Sequence, residues 1–123
     1  MHVTRLHEAP TYVAPNHFDM QCLRLQGKEA GPSVQMWMGM SIIAPGGRTE
    51  LDPSPIEKLY FVAQGRVTVV GSLDGMVQRA SLGPFDSCRF APGEARQLIN
   101  DGDQQAMVVL VMGNAPPVQV PGS

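Results

Sequence analysis

The sequence predicts an all-β, antiparallel sandwich or barrel, and three observations carry that expectation. Turn formers are dense, with 13 Gly and 11 Pro among 123 residues and no fixed period. Between them lie nine or ten short apolar or alternating stretches at intervals of roughly eight to twelve residues, the rhythm of strands joined by tight turns. Long helical patterns are few. A chain of this length forms one domain and buries roughly two-thirds of the surface its unfolded form exposes, so no metal or disulfide is needed to hold it together.

Residues 1–19 mix His, Pro, Asn and Ala, and Pro10 and Pro15 break any helix, so an extended N-terminal arm is expected with at most an edge strand over His2–Leu6. Such an arm could cross to a partner subunit as a swapped edge strand. The barrel proper is expected over 20–113, beginning with a strand at Met20–Gln26 and a turn region at Gly27–Ser33. In the next strand, Val34–Ile43, Met36, Met38, Met40 and Ile42 share one face and Trp37, Ser41 and Ile43 the other. Both faces are largely apolar, and the methionine stripe reads as plain core.

Pro45-Gly46-Gly47 predicts a turn, and Pro53 and Pro55 keep Thr49–Ile56 extended but out of any central strand. Strands follow at Lys58–Ala63 and Val67–Val70, then a type I′ hairpin turn at Asp74-Gly75 and a strand at Met76–Leu82. Ser87–Phe90, Arg96–Asn100 and Ala106–Met112 complete the set, the last being the most apolar. The tail, 114–123, has three Pro and little to bury, so it is expected to be loose.

Nine Lys and Arg against eleven Asp and Glu, spread along the chain, make no basic stripe, and nucleic acid is not an expected partner. The longest apolar run, Ala106–Met112, is seven residues, far short of a membrane span, and no basic-then-apolar leader opens the chain. The expected setting is therefore soluble and cytoplasmic. Cys22 and Cys88, 66 positions apart, form neither a metal pair nor a disulfide framework and read as reduced, packed thiols, with a reactive Cys88 as the alternative.

Chemistry concentrates in two stretches. Gly46-GRTEL-Asp52-Pro-Ser54-PIE-Lys58-LYFVAQ-Gly65 has the spacing Gly, five residues, two positions separated by one, three residues, a further position, six residues, Gly. After 19 residues, Phe85-Asp86-SCRFA-Pro92-Gly93-EA-Arg96-QLI-Asn100 follows. Together these resemble the two motifs of the cupins; in the second, Gly93 and Asn100 match, Phe85 replaces a Gly and Pro92 comes one position late. The resemblance implies a small single-domain cupin, a double-stranded β-helix or jelly-roll barrel that usually forms homodimers.

It also implies that the positions where metal cupins carry three His and one Glu are Asp52, Ser54, Lys58 and Arg96 here. Lys and Arg are donors only and repel a metal ion, and Asp52 with Ser54 supplies too few ligands, so no metal and no other cofactor is expected. The three histidines, His2, His7 and His17, fall in the arm and read as exposed arm residues.

With period two, Lys58, Tyr60 and Val62 share a face, as do Arg96, Leu98 and Asn100. If these faces line a barrel interior, two cations meet one carboxylate, and the excess positive charge calls for a small anionic metabolite. Lys58 and Asp52 are the candidate catalytic residues; Arg96, Ser54, Tyr60 and Asn100 are the candidate substrate-binding residues, with Arg96 able to hold a carboxylate through two parallel hydrogen bonds. The competing reading pairs Asp52 with Lys58, and Arg96 with Glu94, Glu57 or Asp86, in ordinary salt bridges; Glu57, on the opposite strand face from Lys58, is expected outward. Three functions remain open: a metal-independent lyase, isomerase or decarboxylase acting on a small carboxylate or oxo acid; a non-catalytic sensor or carrier with the same pocket; and a metal-dependent oxygenase or isomerase with unusual ligands.

Overall fold

In a computed structural model, residues 1–115 are described. The expected tail lies outside them from residue 116 onward. Ten strands are present: β1 Thr11–Tyr12, β2 His17–Gln26, β3 Met36–Thr49, β4 Asp52–Pro53, β5 Lys58–Gln64, β6 Val67–Leu73, β7 Met76–Leu82, β8 Ser87–Phe90, β9 Ala95–Ile99 and β10 Ala106–Gly113. All pair antiparallel, in the order β7-β6-β9-β3-β10-β5-β8, with β2 on β3, β1 on β2 and β4 on β9. The sheet curls into a nearly closed barrel, and its two ends, β7 and β8, are not hydrogen-bonded to each other.

Alternation decides what faces inward. Along β5, Lys58, Tyr60 and Val62 are buried while Leu59 and Phe61 are exposed, and along β10 Ala106, Val108 and Leu110 are buried. These side chains meet Trp37, Ile43, Phe90 and Leu98 in one core, in which Tyr60 and Phe90 pack edge to face with ring centroids 5.7 Å apart.

Three expectations need correction. No strand forms over His2–Leu6: the arm makes a 3-10 turn at Leu6–Glu8 and then β1, which pairs with β2 of its own chain. Pro45-Gly46-Gly47 does not turn the chain back. Gly46 takes φ +83°, bending β3 so that its first part pairs with β10 and its last part reaches β9 at Arg48 and Ile99. The methionine stripe is not core. Met36 and Met38 are exposed, and the opposite face, with Trp37, Ser41 and Ile43, is the buried one.

Other local features follow the sequence. Asp74 and Gly75 both have positive φ, as a type I′ turn demands, and β7 has the expected bounds. Phe85, which stands where the cupin motif has Gly, is held at φ +70°, a region that favours glycine. Its N–H donates to the Val62 carbonyl at 2.7 Å, and its ring packs on Phe61 at 6.0 Å, anchoring the strained residue.

Candidate functional site

A cavity of about 410 Å³ opens between the arm and the barrel interior. β5 supplies Lys58 and Tyr60, β9 supplies Arg96, β4 supplies Asp52, and the arm with the start of β2 supplies Tyr12, Pro15 and His17. Trp37, Leu98, Leu110 and Met112 complete an apolar wall.

The cavity is built around two buried cations. Lys58 is 7% exposed and Arg96 8%, and among the described residues neither has a carboxylate within ion-pairing distance. The Arg96 Nε is buried without any hydrogen-bond acceptor. The acids proposed as its partners are engaged elsewhere: Glu57 pairs with Arg89, Glu94 accepts from the Ala91 N–H, and Asp86 accepts from the Gly83 N–H. Asp52 stands opposite Arg96 in the β4–β9 ladder, yet its Oδ2 accepts from Asn16 Nδ2 at 2.8 Å.

Burial and like charge perturb these groups in a consistent direction. Lys58 is lowered from 10.5 to about 8, chiefly by burial and then by the Arg96 charge. His17 is lowered from 6.5, again first by burial, against the hydrogen bond to the Pro15 carbonyl, with Arg96 and Lys58 adding to the lowering and Asp52 weakly opposing it. Burial raises Tyr60, against the pull of Arg96, and pushes Tyr12 up to about 12.

Of the six residues singled out in the sequence, Asp52, Lys58, Tyr60 and Arg96 line the cavity; Ser54 and Asn100 do not. Ser54 stabilises its own loop, its Oγ accepting from the Ile56 N–H and its carbonyl from the Gly93 N–H. Asn100 is fully buried and donates to the Ile43 and Gln104 carbonyls while accepting from the Gly102 N–H. It ties β9 to β3 and shapes the following turn.

The sequence reading missed His17 and Tyr12. His17 is a half-buried wall residue and not an exposed arm histidine, because β2 begins three residues earlier than expected and carries it over the cavity. The only local signal was its place three residues before the expected strand. Cys88 is partly buried and its thiol is pushed up to about 11 by burial and by Glu94, so it is not poised as a nucleophile.

Among the described residues no group of three or more His, Cys, Asp or Glu is placed to hold a metal ion, and the cavity's strongest donors are cations. No described helix is long and apolar enough to cross a membrane.

No protein-family model matches the sequence. Solved structures similar to the chain include the polyketide cyclase RemF of Streptomyces resistomycificus, with TM-score 0.79 and 17% identity over 95% of this chain and 82% of that one. They also include an RmlC-like cupin of Shewanella frigidimarina, with TM-score 0.71 and 12% identity over 94% and 92% of the two chains. A curled antiparallel barrel with a side-chain-lined cavity between sheet and arm, on this pattern of neighbours, has the cupin fold. The chain belongs to the same family as a Mycobacterium tuberculosis protein named beta-D-galactosidase Rv1717, with 39% identity over 114 residues, 93% of this chain and 95% of that one.

Proposed function

We propose that this chain is a metal-independent cupin enzyme that holds a small hydroxylated carboxylate in its cationic cavity and moves a proton beside the anchored group. The observation that carries the reading is the buried, unpartnered Nε of Arg96 beside a second buried cation. An uncompensated buried charge costs several kcal/mol, and a carboxylate on Arg96 relieves that cost while satisfying the orphaned donor. The volume suits a single small metabolite, since cavities of about 300–1,000 Å³ serve that role. The galactosidase relative supports a sugar-derived frame, and the two cations favour its acid form.

In this reading Arg96 fixes the carboxylate. Lys58 stabilises negative charge developing on the neighbouring oxygen, which is what isomerisation, elimination or decarboxylation requires. Asp52 is tied to Asn16 and shapes the mouth of the cavity. A divalent metal does not fit this donor set, because Lys58 and Arg96 would repel it and, among the described residues, Asp52 and His17 are the cavity's only ligands of the types metals commonly take.

The relative's name favours a second reading, hydrolysis of a β-D-galactoside. Most glycoside hydrolases work with two carboxylates flanking the bond, and this cavity is lined by one, Asp52. Calorimetry with pyruvate, malonate and galacturonate, beside a turnover assay with 4-nitrophenyl β-D-galactopyranoside, separates the two. Binding of a carboxylate that is lost in Arg96→Gln supports the anion cavity; galactoside turnover with no carboxylate binding replaces it with the hydrolase. If carboxylates bind and none is ever transformed, the cavity belongs to a sensor or carrier.

The partner expected for the barrel is a second copy of the chain. The outer face of β3, β10 and β5 sets Met40, Val109 and Phe61 in one cross-strand row and Met38, Val111 and Leu59 in the next, with no charge between them. Phe61 is 40% and Leu59 47% exposed, Arg89 of β8 borders the second row beside Leu59, and an exposed apolar face of this kind suits an isologous dimer.

A further inference from the structure

The His17 ring is held by a hydrogen bond to the arm segment just before it. Its Nδ1 lies 2.7 Å from the Pro15 carbonyl oxygen, an acceptor only, so Nδ1 carries the hydrogen and Nε2 is left with its lone pair. The ring is part of the cavity wall, together with Lys58, Tyr60, Asp52 and Arg96 from three other strands. The segment that carries it is fixed at Asn16, whose carbonyl accepts from the Glu50 N–H at 2.9 Å and whose amide donates to Asp52.

The groups facing His17 set its protonation. Burial disfavours the imidazolium most, the Pro15 carbonyl opposes it, Arg96 and Lys58 add to burial, and Asp52 opposes most weakly. The same field leaves Lys58, lowered to about 8, mostly protonated at neutral pH. One cavity therefore holds a neutral base and a cationic acid, both lowered chiefly by burial, which is an arrangement acid–base chemistry uses.

Resting on the anion-cavity reading above, we propose that His17 is the proton acceptor of this site, taking through Nε2 the hydrogen on the carbon next to the anchored carboxylate. The C–H bond breaks, its electron pair becomes the C=C bond of an enolate whose oxygen charge faces Lys58, and the proton forms the Nε2–H bond. Return of that proton to carbon regenerates neutral His17 and closes the cycle without any oxidant, reductant or further reactant.

The test is hydrogen exchange in D₂O. Lactate, malonate and galacturonate are incubated with wild type, His17→Gln and Arg96→Gln, and loss of the C–H signal beside the carboxylate is followed by proton NMR against a protein-free blank. The expected result is exchange by wild type on at least one compound, with a fall of about 10²–10⁴-fold in His17→Gln, the usual contribution of a general base. The acid limb of the wild-type rate–pH profile should vanish in the residual rate of that variant, which a merely structural histidine would not do. Equal exchange by wild type and a folded His17→Gln overturns the proposal and leaves the anion cavity standing. No exchange by wild type on any of the three, with carboxylate binding intact, overturns both the role of His17 and the proton-transfer reading. Nitrogen-15 NMR of wild-type imidazoles decides the matter independently of any variant's folding: a His17 hydrogen on Nε2 in place of Nδ1 overturns the assignment.

Discussion

Asp52 and Arg96 are directly opposed in the β4–β9 ladder and yet are not an ion pair. Asn16 occupies the carboxylate and the guanidinium Nε is left without an acceptor. A cross-strand pair of opposite charge is the cheapest neutralisation a sheet offers. Its absence here leaves Arg96 available to an external anion.

Arg96 should therefore decide carboxylate affinity. Charge-assisted hydrogen bonds contribute about 1.5–3 kcal/mol, so Arg96→Gln should weaken malonate binding by about ten- to a hundred-fold in calorimetry. Arg96→Lys should recover only part of it, because a point charge lacks the two-pronged geometry. Undiminished binding in both variants would place the anion elsewhere.

Lys58 should lower the stability of the ligand-free protein. A pKa lowered from 10.5 to about 8 corresponds to about 3 kcal/mol at most, present below pH 8 and lost as pH rises toward 10.5, because only the unfolded chain holds the proton in that window. Lys58→Met should raise stability at pH 7 by about 1–3 kcal/mol in urea unfolding. Cys88 and Tyr12, whose raised values act in the opposite sense above pH 9 to 10, are common to both proteins, so the difference curve isolates Lys58. A flat difference between pH 8 and 10.5 would show that Lys58 is not buried as described.

His17 adds a second window. Its lowered value means the folded state resists protonation, so stability should fall as pH drops below 6.5 toward the folded value. That acid-side loss should be absent from His17→Gln.

Asn100 should matter to folding and not to ligand binding. Its buried amide donates to two carbonyls and accepts one N–H, and removing it strands those groups. Asn100→Ala should cost about 2–4 kcal/mol while malonate affinity, measured where the variant is folded, stays unchanged. A selective loss of affinity would return Asn100 to the site.

Phe61→Glu should convert a dimer to a monomer in sedimentation equilibrium, since it sets a charge in the middle of the apolar β3–β10–β5 face. A wild-type protein that sediments as a monomer would discard the dimer.

The fold was legible because local signals agreed. Turn residues such as Asp74-Gly75 and the alternation through Lys58, Tyr60 and Val62 specify strands and their shared faces, and the motif spacing pointed to a cupin before any contact was known. Lys58, Tyr60 and Arg96 line the cavity from strand faces that alternation groups, and Asp52 was singled out by motif spacing alone. Ser54 and Asn100 could not be told apart from them, because a motif position records spacing and says nothing of which hydrogen bonds a side chain will make.

What the sequence by itself determined is the succession of strands and turns and the grouping of residues on strand faces. Tertiary structure alone decided which face is inside. Period two is symmetric between the two sides of a strand, so the methionine stripe of β3 could be placed outward only once the sheet had curled around Trp37 and Ile43. It also decided that His17, 79 positions from Arg96 in the chain, shares a cavity with it. No local pattern encodes that meeting, since it depends on how β2 and the arm pack against the rest of the barrel.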